Sequence, residues 1–192
     1  VFVIAEAGIN HNGSFLIAKK LVNMAKKAGA DCIKFQTHIV EKEMTKTKIL
    51  PGKISKTPLW DIIKNCELTA NEEEKLSKYC KKKKILFLST PFSISAIDRL
   101  EKIKMPAYKI GSGELTNIPF LKHIAKKKKP VILSTGMSNM EEIKFAVELF
   151  KKSKTPLAIL QTTSEYPCDY KDINLGVISK YKKNFKIPIG IS

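Results

Sequence analysis

The sequence predicts a parallel α/β fold, a (β/α)8 TIM barrel of which about seven β strands are present. Short apolar runs that stop abruptly in Ser, Thr and Gly are typical of buried parallel strands. Amphipathic, lysine-rich stretches of helical length lie between most of these runs, and this alternation favours a parallel sheet covered by helices. Polar groups at the C-terminal end of each run favour a barrel, because TIM-barrel active sites form there. The seven runs span residues 1–13, 32–38, 85–92, 107–114, 131–138, 157–167 and 187–192.

The length of 192 residues is enough for one large domain and short of the roughly 250 residues of a complete TIM barrel. The first residue already lies in an apolar run, and the last falls on the end of another. We therefore expect residues 1–192 to form one incomplete barrel domain of a longer protein.

The chain carries a formal charge of +17, and almost all of its basic residues are lysines. Lysine runs such as 81–84 and 126–129 stand at the ends of helical stretches, where they complement the helix dipole. Base readout relies on arginine, and Arg99 is the only arginine in the chain. The charge therefore predicts a solvated basic surface that attracts small anions. A nucleic-acid-binding protein is retained as the non-enzyme alternative, although nucleic acid is not an expected partner.

The four cysteines show no CxxC pair and no metal-ligand spacing. Reduced thiols in a reducing compartment are the expectation, so we predict a cytoplasmic protein. No apolar segment is long enough to cross a bilayer, and no membrane partner is expected.

The first two strands carry charged groups inside apolar runs, which is costly unless those groups are paired. Glu6 stands near the end of the first run, and a helix follows from about Ser14, its N-cap, to Ala28. Period-two alternation places Lys34 and Gln36 on one face of the second strand. Two interpretations of Lys34 stay open: an internal ion pair with Glu6, or contact with an anionic ligand.

A long and mostly polar connection, residues 39–70, follows the second strand. Its length and position suit a loop that covers substrate, with a short helix at 60–68. Thr69 and Glu72 form a capping box that predicts the next helix, over about 70–83.

The later strands repeat the same pattern of polar ends. The third ends at 89–92 and precedes a helix at 93–103, and the fourth holds Lys109 before the segment 111–114. Glycines on both sides of Ser112 let backbone amides approach an oxyanion. Further helices are predicted to begin at Asn117, at Ser138 or Asn139, and near 172, the last of these running to 182.

Two inward lysines among Ser, Thr and Gly at successive strand ends predict a site for a strongly anionic group, most naturally phosphate. Glu6 and Glu114 add carboxylates for acid–base chemistry. The residues leave three alternatives open. A lysine could form a Schiff base, as in class I aldolases. It could instead clamp phosphate in a metal-assisted condensation. The protein could also be a binding or structural protein that catalyses no reaction.

Several motifs, in this order, together resemble the sialic acid synthase family, whose members make N-acetylneuraminate, legionaminate or pseudaminate. The resemblance covers the whole chain. The motifs are AEAGINHNG (5–13), IKFQTH (33–38), STPF (89–92), YKIGSGE (108–114), LSTGM (133–137), TSEYP (163–167) and GIS (190–192).

The resemblance implies a TIM barrel followed by a small antifreeze-like C-terminal domain that lies outside this chain. It implies condensation of phosphoenolpyruvate (PEP) with an N-acyl amino sugar such as N-acetylmannosamine, giving a nine-carbon sugar acid and phosphate. A divalent metal, Mn²⁺ or Mg²⁺, and a homodimer are implied too. The family's histidine ligands come after Ser192, so no metal ligand is expected in this chain. Which nine-carbon sugar is made stays open, with residues 39–70 expected to influence it.

The motifs also imply roles for individual residues. Glu114, Glu6 and Lys109 would be catalytic, with Glu114 positioning the sugar and assisting proton transfer and Glu6 organising sugar or water. Phe92 and Tyr166, with Glu114, would line the sugar pocket. The residues implied to hold PEP are Lys34, Gln36, Thr90, Lys109, Ser112, Ser134, Ser164 and Ser192.

Overall fold

The computed structural model describes residues 1–52 and 55–192, which fall into two compact units, Val1–Met105 and Pro106–Ser192. The strands of the first unit are β1 (Ile4–Gly8), β2 (Cys32–Thr37) and β3 (Leu86–Pro91); those of the second are β4 (Tyr108–Ile110), β5 (Val131–Ser134), β6 (Leu157–Gln161) and β7 (Ile189–Ile191). The helices of the first unit are α1 (Phe15–Lys27), α2 (Val40–Glu43), α3 (Leu59–Asn65), α4 (Ala70–Lys82) and α5 (Ile94–Lys102); those of the second are α6 (Ile118–Lys126), α7 (Met140–Lys152) and α8 (Gly176–Asn184).

The first unit is a three-stranded parallel sheet in the order β1-β2-β3. The apolar residues of α1 and α4 pack together and against the sheet, and Val22 and Leu76 are fully buried there. The register pairs Glu6 with Lys34 and Gln36 with Thr90. Parallel pairing therefore gathers the polar strand ends of this unit at one edge of its sheet.

The second unit is a four-stranded parallel sheet in the order β4-β5-β6-β7. Phe120 of α6 and Phe150 of α7 are buried against each other's helices and the sheet. Both units show the strand–helix alternation that the sequence predicts, and all seven predicted strands are present. That the 192 residues form one domain stays a prediction.

Helix starts follow the predicted caps. Ser14 accepts a hydrogen bond from the Ile17 amide, and Thr69 with Glu72 forms the capping box of α4. Asn139, one of the two residues proposed, caps α7. Local side-chain chemistry thus fixes these boundaries.

The helix predicted near 172–182 begins later, at Gly176. Asn174 has a left-handed backbone with φ of 55°, which breaks the helical path, and a short 3₁₀ turn, Tyr170–Asp172, precedes it. Neither this turn nor a second 3₁₀ turn at Ser112–Glu114 nor the short helix α2 is predicted by the sequence pattern.

The four cysteines are free thiols, as expected. Burial raises the pKa of both the Cys32 and the Cys80 thiol to about 12, so both stay protonated. Within residues 1–52 and 55–192, no helix is both long and apolar enough to span a bilayer.

Candidate active site

Lys34 is the centre of the polar cluster in the first unit. It projects from β2, and only 6% of its surface is exposed. Its Nζ forms an ion pair with Glu6 Oε2 of β1 and donates a hydrogen bond to Thr90 Oγ1 of β3 at 3.3 Å. The ion-pair interpretation of Lys34 is therefore confirmed. Because the Glu6 side chain is half exposed, the pair lies at the boundary between the core and solvent.

A β-bulge between Glu6 and Gly8 sets the geometry beside Lys34. Gly8 has a left-handed φ of +51°, which glycine adopts without a Cβ penalty. A Cβ on Gly8 would lie 3.5 Å from Glu6 Oε1 and 3.9 Å from Gln36 Nε2. The carboxylate of Glu6 and the amide nitrogen of Gln36 therefore both flank this glycine.

Gln36 is the first member of a hydrogen-bonded chain that leads away from the strand end. Its Oε1 lies 3.0 Å from His38 Nε2, and His38 Nδ1 lies 2.8 Å from Glu43 Oε1 on α2. The imidazole also stacks on the ring of Phe92, with centroids 4.4 Å apart. The side chains of His38 and Glu43 are 3% and 4% exposed. This buried pair links β2, the Phe92 ring after β3 and α2.

His11 is a structural residue of the loop after β1. It is fully buried, and its Nδ1 accepts a hydrogen bond from the Gly13 amide, so Nε2 carries the ring hydrogen. Burial, together with the nearby His38, lowers its pKa, and the ring stays neutral. A Cβ on Gly13 would lie 2.2 Å from the Asn65 carbonyl oxygen, so this loop is packed against the end of α3.

A second buried polar network lies on the helix-facing side of the same sheet. Thr37 Oγ1 of β2 donates to Glu73 Oε1 of α4 at 2.6 Å, and Ser89 Oγ lies 2.7 Å from Thr37 Oγ1. Arg99 of α5 forms an ion pair with Glu73 at 3.5 Å. Burial raises the pKa of Glu73 to about 6 despite these partners. The network holds two helices to the sheet and lies apart from the strand-end cluster.

Lys109 is the buried strand lysine of the second unit, as Lys34 is of the first. It projects from β4 and is buried, with Nζ donating to Ser134 Oγ of β5 at 2.7 Å and to the Ile110 carbonyl at 2.9 Å. Each unit thus holds one buried strand lysine bonded to a hydroxyl of the neighbouring strand. The recurrence agrees with the pattern that the sequence predicts.

Two further serine hydroxyls converge on Gly136, in the loop after β5. A Cβ on Gly136 would lie 2.4 Å from Ser164 Oγ, 2.9 Å from Ser112 Oγ and 3.0 Å from the Thr162 carbonyl oxygen. Ser112 follows β4 and Ser164 follows β6, so three loops of this unit meet there. Only a residue without a side chain fits between these oxygens.

Glu114 lies in the 3₁₀ turn after β4, where its Oε2 accepts a hydrogen bond from Asn117 Nδ2 at 2.7 Å. Asn117 also caps α6, so the carboxylate is held by a fixed residue. Tyr166 is 84% exposed, and Ser192 is exposed at the end of β7. The Ser192 amide donates to the Gln161 carbonyl at 2.9 Å, which continues the ladder between β6 and β7.

The predicted site residues divide into two groups, one in each unit, and the structure brings only some of them together: Lys34 with Glu6 and Thr90, Lys109 with Ser134, and Ser112 with Ser164 at Gly136. The roles assigned to these residues stay predictions. The first group is Glu6, Lys34, Gln36, Thr90 and Phe92; the second is Lys109, Ser112, Glu114, Ser134, Ser164, Tyr166 and Ser192.

Sequence reasoning missed two features of these groups. The pairing of His38 with Glu43 had no signal, because α2 was not predicted. The segment Ser134-Thr135-Gly136-Met137 marked a polar strand end, but it did not predict that two serines approach Gly136. That contact depends on loops distant in sequence.

Among residues 1–52 and 55–192, no three His, Cys, Asp or Glu side chains are grouped so that they could hold a metal ion. His38 and Glu43 are engaged with each other, and His11 is buried against the loop after β1. These residues do not fit a divalent metal site.

The two groups share one arrangement, a buried strand lysine beside hydroxyl groups. A buried ammonium with hydroxyl and amide donors beside it suits phosphate and carboxylate oxygens. Glu6 and Glu114 add two carboxylates that are in reach of solvent and able to accept or deliver protons.

Comparisons with known proteins identify a family to which the chain is similar. A family described as the NeuB family matches residues 21–192. N,N'-diacetyllegionaminic acid synthase from Campylobacter jejuni is 38% identical over 99% of this chain and 59% of its own. Human N-acetylneuraminate-9-phosphate synthase is 35% identical over 100% of this chain and 55% of its own. This chain therefore spans a little over half the length of these two relatives.

A crystal structure of N-acetylneuraminic acid synthetase from Leptospira borgpetersenii, in complex with citrate, superposes with a TM-score of 0.92 at 35% identity. The superposition covers 100% of this chain and 64% of that one. It confirms the predicted α/β fold of the TIM-barrel class. From the match to residues 21–192 and these relatives, the chain belongs to the NeuB family, which is the sialic acid synthase family that its motifs resemble.

Proposed function

We propose that the protein is a sialic acid-type synthase, which condenses PEP with an N-acyl amino sugar to give a nine-carbon sugar acid and phosphate. The observation that carries the proposal is the buried strand lysine found in each unit. Lys34 is bonded to Thr90, and Lys109 is bonded to Ser134. PEP offers a phosphate and a carboxylate, and such lysine–hydroxyl pairs suit both groups.

Three further observations support an anionic substrate. Ser112 and Ser164 bring two hydroxyls together at Gly136. The chain carries a formal charge of +17, which raises the local concentration of anions. The related synthetase from Leptospira borgpetersenii binds citrate, which is also a multivalent anion.

In the proposed reaction, C3 of PEP attacks the aldehyde carbon of the open-chain sugar and a C–C bond forms. The aldehyde oxygen takes up a proton. Water adds to C2 of PEP, where positive charge develops, and gives up a proton as the new C–O bond forms. The resulting tetrahedral centre loses phosphate by cleavage of its C–O bond, which leaves a 2-keto acid. No electron donor or acceptor is required.

The side chains have distinct roles in this proposal. Lys109, Ser112, Ser134 and Ser164 bind anionic oxygens of PEP. Glu114, held by Asn117, positions the sugar and assists proton transfer at its aldehyde oxygen.

In the first unit, Lys34, Gln36 and Thr90 complete the contacts to PEP. Glu6 orients the water or the sugar. Phe92 in the first unit is a proposed contact of the sugar. In the second unit, Tyr166 is likewise a proposed contact of the sugar, and Ser192 is the last of the proposed PEP contacts.

A divalent ion, Mn²⁺ or Mg²⁺, stays part of the proposal as a Lewis acid that would polarise the sugar aldehyde. Because the described residues do not fit a metal site, its ligands are proposed to be the histidines that the family resemblance places after Ser192. No step above is assigned to it. A cytoplasmic location, suggested by the free thiols, and a homodimer complete the proposal.

The contacts of the two strand lysines favour a clamp for anionic groups over the Schiff-base aldolase. A Schiff-base lysine must present its amine to a carbonyl carbon. Lys34 Nζ is engaged by Glu6 and Thr90, and Lys109 Nζ by Ser134 and the Ile110 carbonyl.

Phosphate release from PEP by the full-length protein tests the proposal. The assay includes Mn²⁺ and either N-acetylmannosamine or a di-N-acetylated hexose, with a chelator in parallel. Release that requires one sugar is expected, and the sugar required names the substrate. Replacing Lys109 with Met should lower kcat/KM for PEP by roughly 100-fold, since it removes a buried charged contact.

Replacing Lys122 with Met, an exposed position on α6, is the matched control and should leave turnover unchanged. The synthase proposal fails if folded, metal-loaded protein releases no phosphate with any of these sugars. Normal turnover in the Lys109 variant would refute only the role of that lysine.

A further inference from the structure

Hydrogen bonds connect Gln36 to His38 and His38 to Glu43, and the chemistry of the groups decides which atom donates at Gln36. An amide oxygen only accepts hydrogen bonds, so His38 Nε2, at 3.0 Å from Gln36 Oε1, is the donor. The amide nitrogen of Gln36 then faces the other way, toward Gly8. Gln36 Nε2 and Glu6 Oε1 lie 3.9 Å and 3.5 Å from the position that a Cβ on Gly8 would occupy.

The contact with Glu43 holds the His38 ring in the orientation in which Nε2 faces Gln36. Glu43 Oε1 lies 2.8 Å from His38 Nδ1, so a contact holds the second ring nitrogen while Nε2 points at Gln36 Oε1. The stacked Phe92 ring prevents the imidazole from tilting. A ring without its Nε2 hydrogen would instead accept a bond from Gln36, and the amide would have to turn over.

Glu43 contacts His38 through one carboxylate oxygen. Its other oxygen, Oε2, is buried and, like His11 Nε2, has no hydrogen-bond partner among the described residues. The helix that carries Glu43 is anchored independently, because Val40 is buried and its amide donates to Glu67 Oε1.

We propose that His38 and Glu43 are positioning residues, which fix the amide of Gln36 so that its NH₂ group donates into the cluster of Lys34 and Glu6. This inference rests on the proposed function, because it gives that NH₂ group an oxygen of PEP to bind. Neither His38 nor Glu43 touches the reacting atoms. The pair acts through Gln36 alone.

Kinetics of Glu43→Gln and Glu41→Gln variants give the first test. Both substitutions remove one carboxylate from α2, but only Glu43 contacts His38, whereas Glu41 is exposed and paired with Lys64. We expect Glu43→Gln to raise KM for PEP about tenfold with little change in kcat, and Glu41→Gln to leave both unchanged. Equal kinetics in the two variants would overturn the proposal, and so would loss of thermal stability without a change in KM.

Nitrogen-15 NMR gives a second test that does not require turnover. In protein labelled on glutamine and histidine, His38 Nε2 should show the shift of a protonated nitrogen. The Gln36 NH₂ resonance, identified by its loss in Gln36→Met, should move in Glu43→Gln and not in Glu41→Gln. Gln161, whose NH₂ bonds to the Ile173 carbonyl in the second unit, is the internal control and should stay in place.

The two tests separate the failure of this inference from the failure of the proposed function. If wild-type protein releases no phosphate with any sugar, the kinetic test is void, but the NMR signals still report whether Glu43 and His38 orient Gln36. An unprotonated His38 Nε2, or an unmoved Gln36 resonance in Glu43→Gln, would overturn the positioning role whatever the activity.

Discussion

Gly136 shows how the absence of a side chain can shape a binding site. Its backbone φ is not in the left-handed region, so the requirement for glycine comes from space rather than from conformation. Ser112 Oγ, Ser164 Oγ and the Thr162 carbonyl surround the position that a Cβ would occupy. Any larger residue must push at least one of the two hydroxyls away.

Replacing Gly136 with Ala should therefore weaken PEP binding more than it weakens folding. The added methyl group would displace the Ser164 and Ser112 hydroxyls, and each hydrogen bond lost to a charged group weakens binding by about 1.5–3 kcal/mol. We expect KM for PEP to rise at least tenfold, as measured by steady-state kinetics.

Gly176→Ala is the matched control for that substitution. A Cβ at Gly176 would meet nothing within 4 Å, and its place in the first turn of α8 suits alanine. Its KM should match that of wild-type protein. Similar values for the two alanine variants would show that the hydroxyls at Gly136 do not bind PEP.

At the scale of elements, the network of Glu73 couples helix packing to pH. Glu73 is buried on α4, and its folded pKa of about 6 is above its ordinary value of 4.5. Between these two values the folded state holds more protons than the unfolded state. The free energy of unfolding therefore falls as pH rises through this window, by about 2 kcal/mol in total from this one group.

Replacing Glu73 with Gln should remove that fall, because glutamine keeps an oxygen for Thr37 and does not ionise. Urea unfolding at pH 4.5 and pH 7 measures the effect as a difference between the two pH values. Glu74→Gln, at an exposed position on the same helix, should retain the wild-type pH dependence. If Glu73→Gln retains it as well, the Glu73 carboxyl is not the group that titrates in this window.

Helix starts with a side-chain cap could be predicted from sequence, and the predicted ends near 28, 83 and 103 agree with α1, α4 and α5, but the backbone of the turns that follow several helices could not. The caps at Ser14, Thr69 and Asn139 act within one turn, so a local pattern contains all the information needed. Four turns between a helix and the next strand instead place a lysine in the left-handed region, where glycine is favoured, with φ between 53° and 57°. The lysines in these turns are Lys84, Lys104, Lys128 and Lys154.

The candidate site also contains some features that could be predicted from sequence and others that could not. The strand lysines and their neighbouring hydroxyls could be predicted, because parallel register places strand ends side by side. The pairing of His38 with Glu43 could not, because it depends on where α2 settles. That position is set by the buried Val40 and by the hydrogen bond that its amide donates to Glu67, twenty-seven positions away.

At the scale of the whole molecule, the charge of +17 has a kinetic consequence. A positive field attracts a multiply charged anion such as PEP and has little effect on a neutral N-acyl sugar. Salt screens that field, since the Debye length falls from about 30 Å at 0.01 M to about 10 Å at 0.1 M ionic strength.

The two substrates of the proposed reaction should therefore respond differently to salt. Between about 20 and about 200 mM NaCl, kcat/KM for PEP should fall several-fold, while kcat/KM for the sugar at saturating PEP should change little. The sugar is thus a control within the same protein. A parallel fall for both substrates would mean that salt acts on the fold or on turnover. Constant values for PEP would confine its recognition to short-range contacts such as those of Lys34 and Lys109, because buried charges are screened far less than exposed ones.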